Sequence, residues 1–76
     1  MPQRRAYGVS FGRVLRRRRV AAGLSQEALA EAAGLHPRAV QHYEAGTREP
    51  SLTALVALAE GLRVEPGQLV TEAVAE

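Results

Sequence analysis

Residues 26–46, QEALAEAAGLHPRAVQHYEAG, place two short amphipathic runs on either side of Gly34, and only Leu35 and His36 separate that glycine from Pro37, which opens the second run. Apolar residues at three- and four-residue spacing mark each run as a helix, and the glycine and proline mark the break. Helices joined this tightly must share a core. Leu29, Ala33, Leu35, Val40 and Tyr43 are its expected members, Ala30 is small where the two backbones approach, and Gly34 takes the left-handed turn conformation.

The remainder of the chain is also helical in pattern. A first helix is expected over about residues 11–22, with Ser10 as N-cap and Gly23 just beyond its end. Ser25 caps the second helix, whose first turn carries Glu27. In the third, His36 lies near the cap and Pro37 at the first helical position, and the helix continues to about Glu44. After the turn GTREP, Ser51 caps a fourth helix, LTALVALAEGL, ending around Gly61. A short fifth helix starts at Pro66, and the tail TEAVAE either extends it or frays. The expected fold class is all-α, a compact five-helix bundle. Residues 1–9 are expected to be a flexible basic arm, 10–70 the folded domain and 71–76 a C-terminal tail.

A 76-residue chain holds one small domain. A core of that size rarely supplies more than about 3–5 kcal/mol, so self-association or ligand binding would help it. The chain has no cysteine, which excludes disulfides and thiolate metal sites. It also has no aspartate, no glycine-rich phosphate loop and no nucleophile elbow. Its two histidines, His36 and His42, lie about 240° apart around a helix and cannot share a metal-facing side. We therefore expect no enzyme, no metal and no cofactor. The start MPQRRAYG lacks the apolar run of a signal peptide, and no stretch approaches membrane-spanning length, so a cytoplasmic protein with no membrane partner is expected. Net charge is only +2, but residues 1–24 carry +7 and the remainder −5. That asymmetry points to a nucleic acid or acidic surface, or to a solvated basic helix.

Residues 10–70 resemble the phage-repressor and Cro-like helix-turn-helix family, also called the xenobiotic response element type. The resemblance rests on the arginine-rich helix ending in GLSQEALA, on AGLHPRAVQHYEAGTREPSL, and on LVALAEGL with a short final helix. It implies a lambda-repressor-like DNA-binding domain with double-stranded DNA as partner and the helix at 37–44 in the major groove. With Val40 at 0° on a helical wheel, Gln41, Ala45, Arg38 and His42 lie at about 100°, 140°, 160° and 200°, facing outward, with Pro37 at the leading edge.

These positions are the candidates for base readout. Arg38 can donate two hydrogen bonds to guanine, Gln41 can meet adenine or a phosphate, His42 a base edge or a phosphate, and Pro37 only an apolar group such as a thymine methyl. Candidates for phosphate contact are Ser25 and Gln26 at a helix N-terminus, His36, Thr47 and Arg48. The resemblance implies that Gln26 clamps the DNA backbone. It also implies a weakened contact at Thr47, which stands where the family commonly has a basic residue.

The run Arg16, Arg17, Arg18 and Arg19 cannot all face one partner, since consecutive helical residues are about 100° apart. Arg19 and Glu44 both lean inward on their helices, and an ion pair between them explains both; the resemblance implies the same pairing. Arg18 is expected to pack its stem and turn its head outward, while Arg13, Arg16 and Arg17 serve solubility or phosphate contact, and Arg4 and Arg5 on the arm can reach DNA. Val64, Leu69, Val70 and Val74 supply more apolar surface than a short fifth helix needs and are the candidate dimer interface. The expected function is a sequence-specific, double-stranded DNA-binding transcriptional regulator that binds an inverted-repeat operator as a homodimer. The alternative is an antitoxin or adaptor module whose main role is to bind a partner protein.

Overall fold

The computed structural model describes residues 6–76, and within them the fold is five helices with no strand: α1 Gly8–Ala21, α2 Gln26–Ala33, α3 Pro37–Ala45, α4 Leu52–Leu62 and α5 Pro66–Ala75. Each boundary has a local cause. Ser25 Oγ accepts the Ala28 N–H at 3.0 Å and Ser51 Oγ accepts the Ala54 N–H at 3.1 Å, so both serines satisfy an otherwise orphaned helix donor. Gly34, at φ +68°, ends α2 in the left-handed conformation, and the Leu35 N–H returns to the Ala30 carbonyl at 2.8 Å. Pro37 opens α3 with its ring-fixed φ where no N–H is needed.

One boundary differs from the sequence expectation. Ser10 is not the N-cap of α1: the helix begins two residues earlier at Gly8, and the Ser10 hydroxyl donates to the Tyr7 carbonyl at 3.2 Å. Glu49 holds the Tyr7 N–H at 3.1 Å and Gly8 is buried, so tertiary contact extends the helix where no capping side chain marks it. The folded domain thus reaches into the segment assigned to a flexible arm, and Arg4 and Arg5 lie outside the described residues. Helix α4 covers the expected LTALVALAEGL and ends one residue past Gly61. That glycine sits inside the helix, where an added Cβ would fall 3.2 Å from Leu29 Cδ1, and the left-handed cap is Arg63 at φ +59°. Of the two readings left open for TEAVAE, extension is the one seen, because α5 runs to Ala75 with Ala73 buried.

The core draws on all five helices. Phe11, Val14 and Leu15 of α1 meet Leu29 and Ala30 of α2, Val40 and Tyr43 of α3, Leu58, Ala59 and Leu62 of α4, and Leu69 and Ala73 of α5. Ala33, Leu35 and Val64 pack partly buried against this cluster. Helix α1 packs on α3 and α5, and α2 packs on α3 and α4, so the α2–α3 pair is braced from two sides. Leu69 is fully buried, which removes it from any interface between molecules; its side chain is needed to seat α5.

The inner surface of α5 is also tied to α1 by charge. Arg18 Nε donates to Glu72 Oε1 at 3.2 Å and its Nη2 pairs with the other carboxylate oxygen, while Arg17 adds a longer contact at 3.4 Å. The Arg18 head thus reaches a carboxylate on α5 while its side chain stays 30% exposed. The hydrogen bonds from Arg18 hold the Glu72 carboxyl below its ordinary range, with Arg17 contributing less. A carboxyl with a depressed folded pKa adds stability above its unfolded pKa and loses it as pH falls through the folded value. Glu72→Gln is therefore expected to flatten the acid limb of the melting temperature against pH, with little change in slope near neutrality. An unaltered acid limb would mean that the pair adds nothing to folding.

Candidate nucleic-acid interface

Helix α3 owes its orientation to Val40 and Tyr43, both buried, which turn the opposite face outward. On that face Arg38, Gln41 and Ala45 are exposed, with His42 and Pro37 half-buried beside them. Among the described residues nothing engages the side chain of Arg38 or of Gln41. A guanidinium and a carboxamide with open donors and acceptors on a rigid helix can meet base edges in a groove without first breaking protein contacts.

The ends of α3 are held by its own histidines. His36 is the N-cap, and its Nδ1 accepts the Arg38 N–H at 3.1 Å. At the other end His42 Nδ1 lies 3.0 Å from Thr47 Oγ1, and the Thr47 hydroxyl is 3.3 Å from the His42 carbonyl. Thr47 and Arg48 follow as exposed residues. The structure thus brings His42 and Thr47 into one bonded unit that sequence spacing alone did not suggest.

Behind this face lies an ion pair. Arg19 Nε donates to Glu44 Oε2 at 2.6 Å and its Nη2 donates to Glu44 Oε1 at 3.0 Å, a bidentate contact. A third donor, Nη1, reaches the Leu24 carbonyl at 2.8 Å. The side chains of Arg19 and Glu44 are only 13% and 5% exposed, and the hydrogen bonds to Glu44 raise the Arg19 pKa further above its ordinary value. Gln26 joins the group, because its Nε2 donates to Glu44 Oε1 at 3.1 Å. One amide hydrogen is therefore used inside the protein and one is left for a ligand. The Gln26 tether is a second contact that sequence reading missed; the inward lean of Glu44 was its only signal.

Ser25 lies beside Gln26 with its hydroxyl committed to the α2 cap, so only its backbone and the helix N-terminus remain for an anion. Val70 and Val74 are 44% and 50% exposed on α5, far from the α3 face in sequence but adjoining a shallow groove lined by Tyr7, Phe11, Pro50 and Leu55. Val64 packs against the core and offers little. Among the described residues no cluster of histidine and carboxylate side chains is arranged to hold a metal ion, and no helix is long and apolar enough to cross a membrane.

A family model described as helix-turn-helix matches residues 15–69, a span that takes in the second half of α1, the α2–α3 pair, α4 and the start of α5. The chain belongs to that family. Its family and fold are those of a DNA-binding transcriptional regulator of the Cro-like, xenobiotic response element type. Among solved structures it is similar to the restriction-modification controller protein C.AhdI from Aeromonas hydrophila, with 46% identity over 80% of this chain and 92% of that one and a TM-score of 0.78. It is also similar to the clp gene regulator ClgR from C. glutamicum, at 25% identity over 95% and 94% of the two chains and a TM-score of 0.85. The wild-type restriction-modification controller C.Esp1396I, at 19% identity over 95% of each chain and a TM-score of 0.82, shares the fold. Among curated proteins none matches.

Proposed function

We propose that this protein binds an inverted-repeat operator as a homodimer, with α3 of each copy in the major groove. The observation that carries this reading is the exposed, unengaged Arg38 and Gln41 on the outward face of α3, beside His42, with that face fixed by buried Val40 and Tyr43. Arg38, Gln41 and His42 read bases, and Pro37 adds apolar contact. Ser25 through its backbone, with Gln26, His36 and Arg48, holds phosphates on either side, whereas the Thr47 hydroxyl and N–H are both engaged with His42. A single helix reads few base pairs, and a two-fold pair of helices one DNA turn apart, roughly 34 Å, doubles the footprint. Val70 and Val74 with their groove on α5 are the surface we assign to the second copy. Similarity to C.AhdI favours a controller acting on a promoter of the restriction-modification kind over an antitoxin or adaptor.

Selection of bound duplexes from a random pool at near-physiological salt tests this reading. An enriched inverted repeat with half-site centres about 10 bp apart is expected. Enrichment of a single half-site, together with sedimentation as a monomer on DNA, would remove the dimer. Folded protein that enriches nothing would move the function to a protein partner.

The role of Arg38 has its own test. Arg38→Ala is expected to weaken specific binding by about 1–3 kcal/mol and relax preference at one base position, with an unchanged melting temperature. A large fall in melting temperature would make Arg38 part of the scaffold.

A further inference from the structure

The two histidines of α3 meet their neighbours through the same ring nitrogen but with opposite polarity. His36 Nδ1 faces the Arg38 backbone N–H at 3.1 Å, and a backbone N–H can only donate. Neutral His36 therefore carries its hydrogen on Nε2. His42 Nδ1 faces the Thr47 hydroxyl at 3.0 Å, and that hydroxyl also lies 3.3 Å from the His42 carbonyl, a group that can only accept. When the hydroxyl gives its one hydrogen to the carbonyl, its oxygen is left to accept from Nδ1. Neutral His42 then carries its hydrogen on Nδ1 and a lone pair on Nε2. Neither Nε2 has a protein partner among the described residues.

We propose that Thr47 is a specificity-positioning residue that holds His42 as a hydrogen-bond acceptor toward DNA, while the cap of α3 holds His36 as a donor. The proposal rests on the placement of α3 in the major groove. A phosphate has no hydrogen to give, so His36 Nε2–H is the histidine atom suited to the backbone. An acceptor in the major groove is suited to an exocyclic amino group, that of cytosine or adenine, and not to guanine or thymine, which present acceptors there. His42 therefore selects an amino-bearing base. Thr47, at the position where a basic side chain would reach a phosphate, instead sets the polarity of its neighbour.

Two readouts test this separately. In two-bond proton–nitrogen spectra of histidine-labelled protein without DNA, at mildly alkaline pH where imidazoles are neutral, His36 is expected as the Nε2–H tautomer and His42 as the Nδ1–H tautomer. Thr47→Val is expected to release His42 to Nε2–H without altering His36, and Thr47→Ser to restore the wild-type pattern. Thr47 is exposed, so both variants should keep the fold. In duplex selection, wild-type protein and Thr47→Ser should prefer cytosine or adenine at one position in each half-site, and Thr47→Val should lose about fivefold of that preference, the worth of one ordinary hydrogen bond. Wild-type His42 found as Nε2–H overturns the proposal. His42 found as Nδ1–H with base preference unaltered in Thr47→Val overturns the readout by His42 while leaving the helix in the groove. Correct tautomers with no enriched sequence count against the groove placement itself, and with it the base selection.

Discussion

Gly12→Ala is expected to destabilise the protein by about 3 kcal/mol, at the upper end of what one extra methyl group usually costs in a packed interior. The reason is where that methyl would go. A Cβ on Gly12 would sit 2.5 Å from the Tyr43 carbonyl oxygen and 2.7 Å from the Glu44 carbonyl oxygen. Both are backbone atoms of α3, so no side-chain rotation can relieve the contact, and α1 and α3 must separate. Separation would open the core between Leu15 and Val40 and lengthen the Arg19–Glu44 bonds beside it. For a domain whose core supplies roughly 3–5 kcal/mol, such a loss leaves little net stability. In thermal melts it should lower the midpoint by roughly 10–20 °C.

The same substitution at Gly67, inside α5, should act in the opposite direction. A Cβ there meets nothing within 4 Å, and alanine is favoured over glycine in a helix by about 0.5–1 kcal/mol. A rise in midpoint for Gly67→Ala beside a fall for Gly12→Ala would separate helix propensity from interhelical contact. Equal, small effects at both positions would mean that α1 and α3 are not held as closely as described.

These two glycines show where sequence reading stops. Helical periodicity placed α2 and α3 and their shared core, because that information is local: apolar spacing, Ser25, Gly34 and Pro37 all act within a few residues. It also placed Arg38, Gln41 and His42 on one face, since the angle between helical residues needs no partner to define it. Nothing local distinguishes Gly12 from Gly67, because only the neighbouring helix decides whether a Cβ fits. Arg18 and Glu72 are 54 positions apart, so their pairing was visible only as a charge difference between the two halves of the chain. The start of α1 was missed, and the length of α5 left open, for the same reason. Glu49 holds Tyr7 and Ala73 is buried in the core, and these contacts stabilise helix ends whose sequences carry no cap. Gly61 has a second part that no local signal marks: one residue before the end of α4, it is a thin spot where α2 and α4 approach.

Arg19→Ala is expected to cost about 3 kcal/mol, the lower edge of what loss of one partner of a buried ion pair costs. The Glu44 side chain, 5% exposed, would be left with Gln26 as its remaining hydrogen-bond donor, and the Leu24 carbonyl would lose the Arg19 Nη1 donor. The cost thus arises mainly from what is left behind. Replacing both partners by apolar residues, Arg19→Met with Glu44→Leu, should therefore recover much of the loss, because it removes the stranded carboxylate as well. Stability and DNA binding should then part company. The double variant lacks the carboxylate that tethers Gln26, so it should fold yet bind all duplexes more weakly, with its base preferences intact, as expected when a phosphate contact is loosened and base readout is not. A double variant as unstable as Arg19→Ala alone would show that the pair is needed for its shape and not only for its charge. Undiminished stability in Arg19→Ala, with a shallower dependence of binding on salt, would instead make Arg19 a phosphate contact.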